Sequence, residues 1–141
     1  MAQFYRVRRD NRIDSDHLWY AVAVQTGTVG TDQLADIIQR NCSMKKSDVV
    51  AVLTELVEVM TDQLQSSKTV RLEGLGSFKL GVRSIGADTE EKFTVARNVT
   101  GLRVNFLAEG KKNPATGKVT RTFLNGCTLQ KWENPAQQKK A

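Results

Sequence analysis

The alternation of apolar and polar residues divides the chain into short β segments at both ends and a helical stretch between them. Phe4-Tyr5-Arg6-Val7-Arg8-Arg9 interleaves rings, aliphatic and basic residues, and Leu18 to Val24 is rich in strand formers. The polar run 10–16 between them reads as a turn, so residues 4–25 predict a β-hairpin. Thr26-Gly27-Thr28-Val29-Gly30 breaks the pattern. Thr31 is then suited to cap a helix, with Asp32 complementing its dipole, and Leu34, Ile37 and Ile38 form an i, i+3, i+4 stripe that ends near Asn41. A second helix, capped by Ser43 or Ser47, carries Val49, Val52, Leu53, Leu56, Val57, Met60 and Leu64 on one broad face. Val50 and Val59 lie outside that face, which predicts burial on more than one side and packing against a partner subunit. An ordinary monomeric core helix is the competing explanation.

Alternation at period two returns at Val70/Leu72 and at Phe78/Leu80/Val82, joined by Gly74-Leu75-Gly76, whose glycines allow a tight connection. An acidic turn at 87–91 follows, then short strands expected at Lys92–Ala96 and Leu102–Phe106. Asn113-Pro114-Ala115-Thr116-Gly117-Lys118 lies between two β-prone runs, Val104–Leu107 and Val119–Leu124, and predicts a hairpin with a basic tip. Residues 135–141 read as a flexible tail.

This order of two helices followed by a hairpin with a Gly-x-Gly-Ser-Phe turn resembles the bacterial histone-like HU and integration host factor family. The resemblance covers Thr31 to Arg83 well and extends more loosely to Gly110. It implies an α+β histone-like fold, two helices packed with an antiparallel sheet, assembled as an intertwined homodimer that binds and bends double-stranded DNA. On this basis residues 1–134 are expected to form one HU-like domain. Within it, 1–28 are an added N-terminal hairpin, 31–83 the helical pair and hairpin core, and 84–134 the C-terminal strands and basic hairpin. The family's arm carries an Arg-Asn-Pro-x-Thr-Gly-Lys tip, and similar letters recur here at 112–118, with Lys112 in place of the arginine. They follow the segment 101–110, which resembles the strand after the family's arm, and the arm's usual place holds only the acidic turn. Either the arm is relocated to 111–121, with Pro114 as a wedge between base steps, or the segment is a plain turn.

Charge sharpens this picture. The net charge is +6, and most of it falls after residue 85, as a polyanion-facing surface requires. The expected DNA contacts are Lys79 and Arg83 on the hairpin strand, Lys92, Arg97 and Arg103 beyond it, and Lys111, Lys112, Asn113, Pro114, Lys118 and Arg121 on the late hairpin. Lys79 and Arg83 fall on the face opposite Phe78, Leu80 and Val82. Nothing resembles a recognition helix, so backbone and shape contacts without base readout are expected. The alternative is a dimeric structural or protein-interaction module that keeps the fold and has lost DNA bending.

Catalysis has little to work with. His17 is the only histidine and lies in a polar loop with no nucleophile placed beside it. Gly110 to Lys118 is no phosphate loop, because six residues separate its glycines and Val119 follows the lysine. No zinc or calcium spacing occurs, and no cofactor, metal or small-molecule substrate is expected. Cys42 and Cys127 predict two reduced, packed thiols. With no secretory signal or bilayer-length apolar run, a cytoplasmic, nucleoid-associated protein without membrane contact is expected.

Overall fold

The computed structural model describes residues 1–12 and 16–133. They form two compact units, one built from residues 1–30 and the segment beginning at Leu124, the other from Thr31–Phe123. The expected flexible tail at 135–141 lies outside the described residues, as does part of the expected turn at 10–16.

The first unit is a three-stranded sheet. Strand β1 (Ala2–Arg9) pairs antiparallel with β2 (Trp19–Ala23), from Tyr5 opposite Ala23 to Arg9 opposite Trp19. This is the hairpin expected from the alternation. On its other edge β1 takes a parallel strand, β8 (Thr128–Lys131), in register from Ala2 opposite Thr128 to Tyr5 opposite Lys131. Thr128 ties the start of the chain to this late segment, its N–H and Oγ1 both bonding to the Met1 carbonyl, at 3.2 and 3.3 Å.

In the second unit α1 (Thr31–Asn41) and α2 (Lys46–Gln65) form a helical pair followed by the sheet β3–β4–β5. Neither Ser43 nor Ser47 caps α2. Lys45 occupies the cap position without a side-chain bond, and Gln39 of α1 reaches across so that its Oε1 accepts from the Lys46 N–H at 2.6 Å. An orphan donor of one helix is thus satisfied by its neighbour. Lys46 adds an ion pair to Asp36 at 3.1 Å.

Strand β3 (Val70–Leu72) turns into β4 (Gly76–Ser84), which pairs antiparallel with β5 (Val99–Ala108). Gly74 has φ +82° and Gly76 φ +149°. A Cβ on Gly76 would strike the Leu107 carbonyl and the Phe106 ring, so the close approach of β5 requires glycine there. Phe78 and Phe106 stack across the strands with centroids 4.7 Å apart.

The region between β4 and β5 departs from expectation. Lys92–Ala96 is not a strand. A 3₁₀ turn at Glu90–Lys92 leads into a single helical turn, α3 (Val95–Asn98). Asn98 organises it: the Thr94 N–H donates to its Oδ1 at 3.0 Å, and its Nδ2 donates to the carbonyls of Ile85 and Gly86 at 3.2 and 3.3 Å. Local side-chain bonds of this kind outcompete a strand ladder where no partner strand is available.

The late hairpin is also shorter than its β-prone flanks suggest. Residues 104–107 are committed to β4, and the hairpin is β6 (Gly110–Lys112) against β7 (Val119–Arg121), three residue pairs long. Both thiols are exposed rather than packed.

Candidate nucleic-acid interface

Register decides which side chains share a surface. On the β3–β4–β5 sheet Arg71 lies opposite Ser77, Lys79 opposite Asn105, Gly81 opposite Arg103 and Arg83 opposite Gly101. Paired residues point to the same side, so Arg71, Lys79, Arg83 and Arg103 form one cationic face. Gly81 makes room for it. A Cβ there would sit 3.1 Å from Arg103 Nε and 2.6 Å from Asn105 Nδ2, so the Arg103 side chain lies across the strand. Arg71 is partly neutralised by Glu109 at 2.9 Å. Lys79, Arg83 and Arg103 are exposed and hold no ion pair among the described residues.

The opposite face holds Val70, Phe78, Leu80, Val82, Leu102, Val104 and Phe106, as the alternation predicts. Leu64 of α2 lines a hollow with Leu80, Val82 and Leu102, which brings the helix end to this face. Coverage is incomplete, because Val104 keeps 64% of its surface and Phe106 48%.

Of the other expected contacts, Lys92 is exposed and pairs with Asp88 at 3.6 Å, while Arg97 is exposed in the last turn of α3. Lys111, Lys112 and Lys118 are exposed around the hairpin. Two residues of that hairpin are occupied in shaping it. Asn113 accepts the Ala115 N–H on Oδ1 at 2.9 Å and the Gly117 N–H on its carbonyl at 2.8 Å, an Asx turn with Gly117 at φ +68°. Arg121 is half-buried and donates to the Ala108 carbonyl at 2.9 Å, pinning the hairpin to the end of β5. Pro114 is exposed in the tip.

Arg71 was missed by the sequence reading, although its place between Val70 and Leu72 was the available signal. A wider pattern was missed too. Among the described residues, the eight strands hold eleven of the chain's 21 Lys/Arg and none of its 15 Asp/Glu. Helices α1 and α2 hold six acidic residues against Arg40 and Lys46. Charge is therefore sorted by element type, which net charge per segment does not reveal. Among the described residues no group of three His, Cys, Asp or Glu could hold a metal ion, and no helix is long and apolar enough to cross a membrane.

A family model described as HU domain fused to wHTH, Ig, or Glycine-rich motif matches residues 1–121. The chain belongs to this HU-HIG family. No curated protein matches the sequence. Among solved structures, a Bacteroides vulgatus ATCC 8482 protein described as a candidate bacterial DNA-binding protein is similar over 95% of this HU-HIG chain, with a TM-score of 0.61 at 12% identity. The match spans 50% of that protein's length, so what the two share is a fold. Anabaena HU, solved with DNA, aligns over 65% of the chain and 75% of its own, at 23% identity and a TM-score of 0.38.

Proposed function

We propose that the chain binds double-stranded DNA with little sequence preference, as a homodimer at the nucleoid in the cytoplasm. The observation that carries this reading is the acid-free sheet, with Lys79, Arg83 and Arg103 on one face. Such a surface neutralises phosphates and releases counterions, and it needs no base contacts to do so. The HU-like ancestry of the fold and the description of the Bacteroides protein as a candidate DNA-binding protein favour DNA over other polyanions.

The dimer is supported by what one subunit leaves uncovered. Ala35 and Val49 are the buried hydrophobic residues among those described, while Val52 and Val57 of α2 keep 56% and 64% of their surface. Exposed apolar side chains on the helix that the dimer would bury support this reading.

Replacing Lys79 and Arg83 together by alanine is expected to weaken binding to every random-sequence duplex alike. The slope of log K against log salt should flatten by about two, roughly 0.9 per lost phosphate contact. An unchanged slope would remove this face from the interface.

One observation favours the alternative, a dimeric module that has lost DNA bending. Between β4 and β5 the chain forms a compact turn carrying Asp88, Glu90 and Glu91, where a ribbon arm would reach toward DNA. Unbent but salt-sensitive complexes would fit DNA binding without an arm. Absence of binding at low salt would favour the module.

A further inference from the structure

The N-terminal sheet carries a second basic surface. Its strands β1, β2 and β8 contain Arg6, Arg8, Arg9 and Lys131 and no acidic residue. Arg6 lies opposite Val22 and Arg8 opposite Tyr20, so Arg6, Arg8, Tyr20 and Val22 share one face with Phe4, while Arg9 and Lys131 fall on the other. Phe4 is held by the edge of Trp132, with ring centroids 5.1 Å apart at 73°. Arg6 and Arg8 are exposed and hold no ion pair among the described residues. Tyr20 keeps 52% of its surface. Arg8, Tyr20 and Val22 line an open hollow together with Arg9, Asp10 and Arg12, so its one carboxylate stands among three guanidinium groups. That carboxylate is paired: Arg12 grips Asp10 with Nε and a terminal nitrogen at 2.8–3.1 Å, and Arg9 Nε donates to the His17 carbonyl at 3.2 Å.

We propose that this face is a platform for single-stranded DNA, with Tyr20 stacking on a base and Arg6 and Arg8 holding the adjoining phosphates. Residues two apart on a strand stand about 7 Å from one another on the same side, so the two guanidinium groups form a row beside the ring. A duplex keeps its base faces inside the stack and offers such a ring nothing to cover it. A single strand presents both bases to stack and phosphates to neutralise. An acidic peptide would satisfy the arginines and leave Tyr20 exposed. The proposal rests on DNA being the ligand of this chain, but it places the contact on a different unit from the duplex surface.

The test uses the full chain, a fluorescein-labelled 20-mer of oligo-dT and a random duplex, titrated at several salt concentrations. Arg6→Ala with Arg8→Ala should flatten the oligo-dT salt slope by roughly 1.4, about 0.7 per contact. Tyr20→Ala should weaken oligo-dT binding about tenfold, and Tyr20→Phe, which keeps the ring, should restore it. Amide hydrogen exchange of the β1 and β2 strand residues reports that the sheet is intact in each variant, and the exposed arginine pair gives a second readout should Tyr20→Ala disturb it. Parent-like binding by the arginine variant, or equal loss in Tyr20→Phe and Tyr20→Ala, would overturn the proposal. A preference for oligo-rU would overturn the assignment to DNA. Duplex binding by Lys79→Ala/Arg83→Ala is read in parallel: its failure to respond while oligo-dT binding follows Tyr20 sinks the duplex reading alone, and the reverse sinks the platform alone.

Discussion

At the residue scale, Gly76 and Asp10 show how single positions are fixed by different forces. Gly76→Ala adds a methyl group against the Leu107 backbone and the Phe106 ring at a left-handed-side φ of +149°. Backbone atoms cannot move aside as a flexible side chain would, so a loss of roughly 3 kcal/mol in unfolding free energy is expected by urea denaturation. Asp10 is an electrostatic case. The Arg12 side chain, then the Arg12 backbone N–H, hold its carboxyl below the ordinary 3.8. A lowered folded value means the pair favours the folded state above the unfolded value and ceases to do so as pH falls through the lowered one. Carboxyl NMR should therefore show Asp10 titrating below 3.8, and Arg12→Ala should raise the midpoint toward the ordinary value. An unmoved midpoint would show that the fork does not form in solution.

At the element scale, the late hairpin separates charge from shape. Three residue pairs give β6 and β7 a reach of only about 10 Å, and Asn113 and Arg121 are engaged in holding the turn. Pro114→Ala is accordingly expected to leave DNA bending unchanged, as measured by energy transfer across an end-labelled duplex. Lys111→Ala with Lys112→Ala and Lys118→Ala should lower the salt slope by up to about three. A loss of bending in the proline variant would instead support a relocated arm. Elements with their own periodicity were legible in the sequence: α1, α2, β3 and β4 all follow stripes or alternation. What was not legible depended on distant partners. Strand β8, Thr-Leu-Gln-Lys, has no alternation of its own and is a strand because β1 offers it an edge. Lys92–Ala96 has β-prone letters but no neighbouring strand, and Asn98 closes the chain into turns instead. The cationic face was half legible: alternation placed Lys79 and Arg83 and could have placed Arg71, whereas setting Arg103 beside them needed the register.

At the scale of the whole molecule, the proposed homodimer is tested by mass. Light scattering at micromolar concentration should give about twice the 15.7 kDa of the chain. Val57→Glu, which places a charge on a valine that keeps 64% of its surface, should shift that mass toward one copy without unfolding α2. A parent that runs as a monomer would leave this surface without its expected cover.

The pairing of β1 with β8 has a mechanical consequence. The two strands run parallel, and the chain between them contains the entire unit Thr31–Phe123. Tension applied ahead of β1 and beyond β8 therefore pulls neighbouring parallel strands from opposite ends. That loads their hydrogen bonds in shear, all at once, rather than unzipping them singly. While the sheet holds, force crosses from β1 to β8 through those bonds, and the helical pair and its cationic sheet lie off the load path. Strands β1 and β8 thus act as a clasp that must yield before the unit between them in sequence feels any pull.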